Sequence, residues 1–345
     1  MGQVRRVLKR AAVGVAALTA GLLVTGVVSE AVIRGRVARV IPAPGRLVDI
    51  GGRQMQLDCR GSGRPTVVLE AGLDVLGSLS WAAVHDSLAA LTRTCAYSRA
   101  GIQWSEPSGL PFSVDGVVSD LRETLKRAGE PAPFVLVAHS IGGLYATAFA
   151  ARHRPDVAGL VLVDASHPDQ VARLEAVTGV RMLPAAGDVA LAARLARTGV
   201  LRFLPVATEP QGAPSWVLGV ASARFSVSVA ALAAELRALP ATFEATRALH
   251  VFDDLPFTAL VAGAATPPAT LRAMGMSAAQ GEQMRRAWIA LQAERAAWAT
   301  AGRVDTLLDA THYVQFDRPD AVVGAVKAML GSLAANPRST NSNPR

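Results

Sequence analysis

The sequence predicts an α/β protein with a mostly parallel central sheet, helices on both faces and a helical insertion late in the chain. Between residues 65 and 164, short apolar strand-like runs alternate with helical segments. Residues 168–252 interrupt this alternation with helical spacing alone, and the strand pattern resumes at residue 256. The chain has 345 residues, 51% of them hydrophobic, which suits one large folded domain and excludes a disordered chain.

The first segment is an N-terminal apolar run. Residues 11–29, AAVGVAALTAGLLVTGVVS, carry no charge and are flanked by basic residues. As a helix this run spans roughly 28 Å, close to the hydrocarbon thickness of a bilayer. We expect residues 1–40 to be a signal anchor that leaves the body outside the cytoplasm, with residues 11–29 in the membrane. The alternative is a signal peptide cleaved near Ser29-Glu30-Ala31, which would give a secreted protein.

The formal charge of +8 lies at the two ends of the chain. Residues 1–39 hold seven basic residues against Glu30, and the end of the chain adds Arg338 and Arg345. Residues 40–333 therefore have no net charge. Since such a body has no net attraction to polyanions, we expect no nucleic-acid partner.

The body is expected over residues 46–332, beginning with two strand-like runs joined at Gly51-Gly52, a strong hairpin signal. The next predicted strands are Pro65–Glu70, Arg93–Ser98, Phe134–Ala138, Gly159–Asp164, Pro256–Ala262 and Arg303–Leu308. The predicted helices outside the insertion are Trp81–Leu91, Val114–Ala128, Gly143–Arg152, Ala278–Thr300 and Ala321–Leu330. Residues 333–345 are polar at their end and are expected to be a disordered tail.

The most informative motif is Ala138-His139-Ser140-Ile141-Gly142-Gly143, between a buried strand and a helix. Small residues flank Ser140 at positions −2, +2 and +3. A serine exposed on so tight a turn needs them, because larger neighbours would collide with the strand or helix. The helix that follows offers a free backbone N–H and a positive dipole to a developing oxyanion. The motif therefore predicts a nucleophilic serine.

With its surrounding segments, the chain resembles the α/β-hydrolase fold superfamily over about residues 46–332. The matching segments are PTVVLEAG at 65–72, Trp81, AYSRAG at 96–101 with Ser105, LVLVDASHP at 160–168 and THYVQ at 311–315. The resemblance implies a serine hydrolase with residues 168–252 as a cap and an oxyanion hole formed by the amides of Leu73 and Ile141. The family usually has Asp-Arg-x-Gly-x-Gly-x-Ser where this chain has residues 98–105, and two positions depart.

The resemblance also implies a base and an acid. The base lies in the loop after the last strand, where His312 is the candidate. The usual acid position, three residues beyond Gly263, is empty. Some members instead carry the acid at the end of the preceding strand, where this chain has Asp164. Asp309 is the rival, and a role for Asp164 as a helix cap remains open. Either carboxylate would complete a triad.

Two cysteines, Cys59 and Cys95, occur in the chain. In this fold the second strand neighbours the fourth and runs antiparallel to it, so the resemblance places the two cysteines side by side. A disulfide there fits an exported body. The alternative is two buried thiols.

The resulting hypothesis is a hydrolase of an ester or related acyl substrate that works through an acyl-enzyme. The same triad also supports thioesterase, lactonase, carbon–carbon hydrolase and perhydrolase activity. A non-catalytic, membrane-tethered binding protein on this fold is the alternative from another class. The apolar cap helices favour a hydrophobic small-molecule substrate. We expect no metal and no cofactor, because the sequence has no metal-ligand spacing, phosphate-cradling loop or dinucleotide fingerprint.

Overall fold

The structure is a computed structural model, and it describes residues 2–196, 198–199, 212–249, 252 and 254–335. In this part of the chain eight strands form one sheet in the order β1-β2-β4-β3-β5-β6-β7-β8. The strands are β1 Arg46–Asp49, β2 Gln54–Arg60, β3 Thr66–Glu70, β4 Thr94–Tyr97, β5 Phe134–His139, β6 Val157–Val163, β7 Phe257–Ala262 and β8 Arg303–Leu307. The β1–β2 and β2–β4 pairs are antiparallel and all other pairs are parallel. The predicted mostly parallel sheet is confirmed.

Helices cover both faces of this sheet. The helices are α1 Gly2–Val40, α2 His85–Ala89, α3 Val114–Ala128, α4 Gly142–Arg152, α5 Gln170–Thr178, α6 Ala186–Ala196, α7 Ser215–Arg247, α8 Pro268–Ala273, α9 Ala278–Ala296, α10 Val314–Asp317 and α11 Pro319–Ala335. Short 3-10 helices occupy Gly77–Trp81 and Arg154–Asp156. The helix expected over Trp81–Leu91 is thus divided into a 3-10 turn and the short α2.

The central strands are buried on both faces, which explains their continuous apolar sequences. Along β5, Leu136 and Ala138 pack in the core under α3 and α4. Their neighbours Val135 and Val137 pack in a second core with α2 and α11. This alternation follows from the two-residue period of a strand, and a sheet covered on both faces needs apolar residues at every position.

Among the described residues between β6 and β7, the helices α5, α6 and α7 form the predicted helical insertion. By length and composition, both α1 and α7 could cross a membrane. The two differ in burial, since the apolar window of α7 is 39% buried inside the protein and that of α1 is 0% buried. Helix α7 is therefore a packed helix of the insertion, while α1 is a candidate membrane anchor.

The C-terminal boundary differs from the expectation. Helix α11 continues to Ala335, so it includes the first three residues of the segment expected to be disordered. The reason is packing, since Leu333 is 5% exposed and belongs to the core beneath α11. The remainder of the predicted tail, residues 336–345, lies outside the described residues.

Cys59 and Cys95 face one another in the β2–β4 pair and are joined by a disulfide. Their Cα atoms are 4.0 Å apart, and 36 residues separate them in the sequence. The disulfide links the neighbouring strands β2 and β4 at the edge of the sheet where the strands are antiparallel.

Reduction of this disulfide is expected to lower the free energy of unfolding by about 2–4 kcal/mol, because the reduced chain regains the entropy of an open loop when it unfolds. Urea unfolding of the full chain in detergent, with and without a reductant, measures the change. The Cys59→Ala/Cys95→Ala double variant is the control, since its midpoint should not respond to reductant. Equal midpoints for the oxidised and reduced parent protein would refute the prediction.

Candidate active site

The turn between β5 and α4 presents the Ser140 side chain at the carboxyl edge of the sheet. Ser140 has φ +52°, a conformation that non-glycine residues rarely adopt. A Cβ added at Gly142 would lie 2.5 Å from the Ala71 carbonyl oxygen, and one at Gly143 would lie 2.4 Å from the Ala165 Cβ. Both contacts are closer than atoms can pack, which is why the sequence has glycine at these positions.

Three predicted site residues meet at this edge. The Oγ of Ser140 is 3.0 Å from Nε2 of His312, and Nδ1 of the same imidazole is 2.6 Å from Oδ2 of Asp164. Ser140 follows β5, Asp164 follows β6, and His312 lies in the loop between β8 and α10. The His312 side chain is 47% exposed and that of Asp164 is 3% exposed. A continuous hydrogen-bonded row thus runs from a buried carboxylate to an accessible hydroxyl.

The second oxygen of Asp164 is fully engaged. Oδ1 accepts a hydrogen bond of 2.9 Å from the Ala262 amide and one of 2.7 Å from the Trp288 indole. These two donors fix the carboxylate so that Oδ2 faces His312. The Asp164 carboxylate is thus hydrogen-bonded to the imidazole, and the residue at the N-cap of α5 is Asp169. Sequence reasoning missed Trp288, because nothing near it in α9 marks it as a partner of a residue in another element.

The rival carboxylate, Asp309, lies elsewhere. Its two oxygens are 2.9 and 3.1 Å from Nη1 of Arg318, and its side chain is 67% exposed. Within the described residues its hydrogen bonds go to that guanidinium and none goes to His312. Asp309 therefore belongs to a surface ion pair.

His139, inside the serine motif, supports the loop that carries His312. Its Nε2 donates a 2.8 Å hydrogen bond to the backbone carbonyl of His312, and the two rings lie 4.7 Å apart. Burial and the neighbouring His312 imidazole hold the pKa of His139 well below its ordinary value. His139 is therefore a neutral donor that holds the backbone at His312 in place. The sequence placed this residue beside the serine without indicating its partner.

The two amides predicted to form the oxyanion hole are those of Leu73, which follows Gly72 after β3, and of Ile141, which follows Ser140. Ile141 directly precedes α4, and Gly72 packs so closely on the turn that an added Cβ would lie 2.7 Å from Nδ1 of His139 and 3.1 Å from the Ser140 Cβ. In the part of the chain that the structure describes, neither amide donates a hydrogen bond to another protein group. Both N–H groups are thus free to bind an oxygen.

Comparisons with known proteins agree with this architecture. Residues 65–201 match a family model described as the alpha/beta hydrolase fold. An enol-lactonase from Burkholderia xenovorans superposes with a TM-score of 0.56 at 19% identity, covering 83% of this chain and 100% of that one. The chain has the α/β-hydrolase fold. A thermophilic esterase from Thermogutta terrifontis (TM-score 0.56, 20% identity, 81% and 94% covered) and an epoxide hydrolase, CorEH (TM-score 0.58, 18% identity, 84% and 98% covered), share the fold.

Curated relatives match shorter segments. YbdG of Bacillus subtilis is 26% identical over 203 residues, which are 59% of this chain and 61% of that protein. A protein of Schizosaccharomyces pombe is 50% identical over 74 residues, 21% of this chain and 14% of its own length. An uncharacterised vacuolar membrane protein of Saccharomyces cerevisiae is 31% identical over 109 residues, 31% of this chain and 17% of that protein. The matches thus span less than two thirds of each relative.

Proposed function

We propose that this protein is a serine hydrolase that cleaves an ester or related acyl substrate through an acyl-enzyme intermediate. The observation that carries the proposal is the row of hydrogen bonds from Asp164 through His312 to Ser140. Nucleophile, base and orienting carboxylate in this order are the parts that acyl transfer to serine requires.

The reaction proceeds in two halves. Oγ of Ser140 attacks the acyl carbon while Nε2 of His312 takes its proton, and the amides of Leu73 and Ile141 donate to the oxyanion. Asp164 accepts from Nδ1 and stabilises the imidazolium. The imidazolium then protonates the leaving alcohol as the acyl-enzyme forms. In the second half His312 removes a proton from water, which attacks the acyl carbon. The imidazolium then returns that proton to Oγ of Ser140 as the carbon–Oγ bond breaks, and the carboxylic acid leaves.

The same serine nucleophile would also serve a thioesterase, a lactonase, a carbon–carbon hydrolase or a perhydrolase. The proposal therefore includes these reactions. The non-catalytic binding protein is favoured by the empty acid position after β7 and by the departures at residues 98–105, and it is supported less. Asp164 supplies a carboxylate to His312 from the end of β6.

An apolar substrate fits the surroundings of the site. A cluster of buried apolar residues joins the insertion helix α7 to the segments that follow Leu73 and His312. Its buried members are Leu76, Leu79, Val217, Ala221 and Phe316. These residues pack the insertion beside the site, so the insertion serves as a cap, and its apolar helices favour an apolar acyl group in the substrate.

Hydrolysis of p-nitrophenyl esters by the full chain in detergent tests the function. We expect hydrolysis, with kcat/KM rising from the acetate ester towards medium-chain esters, since each buried methylene contributes about 0.8 kcal/mol. A folded protein that hydrolyses no ester in the series would overturn the proposal. Equal kcat/KM for all chain lengths would be consistent with the hydrolase and would overturn the preference for an apolar acyl chain.

The N-terminal helix and the disulfide support a location for this activity. We propose that α1 anchors the protein in a membrane and that the domain faces an oxidising compartment, since disulfides persist there. A full-length chain that stays in the membrane pellet after carbonate extraction is expected. Recovery of a soluble, N-terminally shortened chain would instead show the cleaved, secreted form.

A further inference from the structure

A buried arginine lies directly behind the proposed oxyanion hole. Arg99 follows β4 and is 5% exposed. Its Nη1 donates a 2.7 Å hydrogen bond to the carbonyl of Ala71, and its Nη2 donates a 2.6 Å bond to the carbonyl of Gly72. One guanidinium therefore holds two successive carbonyls of the loop that leads from β3 to Leu73.

The bond to Gly72 acts on the Leu73 amide itself. The carbonyl of Gly72 and the N–H of Leu73 belong to one peptide unit, which is planar, and in a trans peptide the two groups point in opposite directions. Fixing the oxygen on Arg99 therefore fixes the direction of the N–H on the far side. A charged donor on the carbonyl also polarises the unit and strengthens the N–H as a donor.

The guanidinium is itself held from two sides by buried carboxylates. Glu70 at the end of β3 accepts from Nη1 at 2.8 Å, and Glu235 of α7 accepts from Nη2 at 2.9 and 3.1 Å. Tyr145 of α4 donates a 2.9 Å bond to Glu235. The network thus connects the Leu73 loop, the helix behind Ser140 and the cap helix.

Arg99 stays protonated in this buried network. Burial alone would lower the pKa of Arg99, but the carboxylates of Glu235 and Glu70 raise it well above its ordinary value. A buried ion pair strongly resists the loss of one partner, because the remaining charge would be left without compensation. The ion pairs with Glu70 and Glu235 therefore hold the guanidinium in place against the two carbonyls.

We propose that Arg99 is the positioning residue of the oxyanion hole, and that through Glu235 it ties the Leu73 amide to cap helix α7. This inference rests on the proposed serine hydrolase function. It goes further by assigning a role to a residue that touches neither the substrate nor the reacting atoms.

The decisive variant is Arg99→Ala in the full chain. We expect kcat to fall about 10²- to 10³-fold, the loss that follows removal of one oxyanion donor, while KM changes by less than about threefold. The split arises because the oxyanion exists only after attack, so its stabilisation enters kcat and not substrate binding. Active-site titration with a fluorophosphonate sets the concentration of competent enzyme, which removes the effect of partial unfolding.

Guanidinium ion supplies a second measurement. Arg99 lines a cavity of about 90 Å³ together with Tyr97 and Ala100, which offers a small cation a route to the space left by Arg99→Ala. Added guanidinium chloride at millimolar concentration is expected to restore part of the lost kcat. A residue that only stabilises the fold would not respond in this way.

Arg224→Ala is the matched control. Arg224 is also buried and donates a 2.7 Å bond from α7 to a backbone carbonyl, that of Gln103, but it does not touch the Leu73 loop. We expect its kcat within about threefold of the parent and no response to guanidinium. Should Arg99→Ala not fold, Arg99→Lys keeps the charge but has one nitrogen in place of the separate Nη1 and Nη2 donors, so its kcat should fall in the same direction.

The outcomes separate the inference from the function. If the parent is active and a folded Arg99→Ala variant has the parental kcat, the role of Arg99 is overturned and the hydrolase function stands. Equal losses of kcat in the Arg99→Ala and Arg224→Ala variants would overturn it as well. A parent chain that hydrolyses no ester and binds no fluorophosphonate would overturn the proposed function, and this inference with it.

Discussion

Replacing Ser140 with alanine is expected to lower kcat for ester hydrolysis by about 10⁴- to 10⁶-fold, because no other group can form the acyl-enzyme. The fold should survive, since alanine keeps the Cβ of serine in the same backbone conformation. The variant retains the amides of Leu73 and Ile141, and residual hydrolysis above the rate in water is expected from them alone.

Kinetics with p-nitrophenyl esters on the parent and the variant, purified in parallel, measure this change. Ser166→Ala is the matched control, because Ser166 is a buried serine two residues after Asp164 whose side chain does not contact His312. We expect kcat within about threefold of the parent for the control. A Ser140→Ala protein that hydrolyses esters at the parental rate would remove Ser140 as the nucleophile.

Replacing Asp164 with asparagine is expected to lower kcat by about 10⁴-fold through the tautomer of His312. The Ala262 amide and the Trp288 indole both donate to Oδ1, so the oxygen of an asparagine must stay on that side. Its NH₂ group would then face Nδ1 of His312. An imidazole that accepts at Nδ1 carries its proton on Nε2 and cannot take the proton of Ser140.

Asp309→Asn is the control for this change, because its ion pair with Arg318 is exposed and pairs of that kind contribute about 0–1 kcal/mol. We expect kcat within about threefold of the parent and a similar melting temperature. If Asp309→Asn were the inactive variant and Asp164→Asn the active one, the orienting role would pass to Asp309.

Features set by local sequence were predictable. The turn at Ser140 is recognisable because strand, small residues and helix are consecutive in the chain. Helix α3 was predicted at its observed bounds from its amphipathic pattern, and the structure shows Ser113 as its N-cap and Gly129 as its C-cap. Asp164 required the fold as well as the sequence, since its closeness to His312 depends on the order of β5, β6, β7 and β8.

Features that depend on distant packing were not predictable. Trp288 reaches Asp164 across 124 positions and Arg99 reaches Glu235 across 136, and no local pattern records either contact. The predicted helix from Trp81 fails for a related reason. Trp81, Val84 and Leu88 pack into the core beneath the sheet, and a 3-10 turn followed by the short α2 serves that packing.

Covalent labelling tests whether Ser140 is a nucleophile activated by His312. The full chain in detergent is treated with a fluorophosphonate, digested and analysed by mass spectrometry. We expect a single adduct on the peptide that contains Ser140, absent from the Ser140→Ala variant and strongly slowed in Asp164→Asn. A folded parent chain that carries no adduct while a known serine hydrolase is labelled beside it, or an adduct on another residue, would contradict the claim.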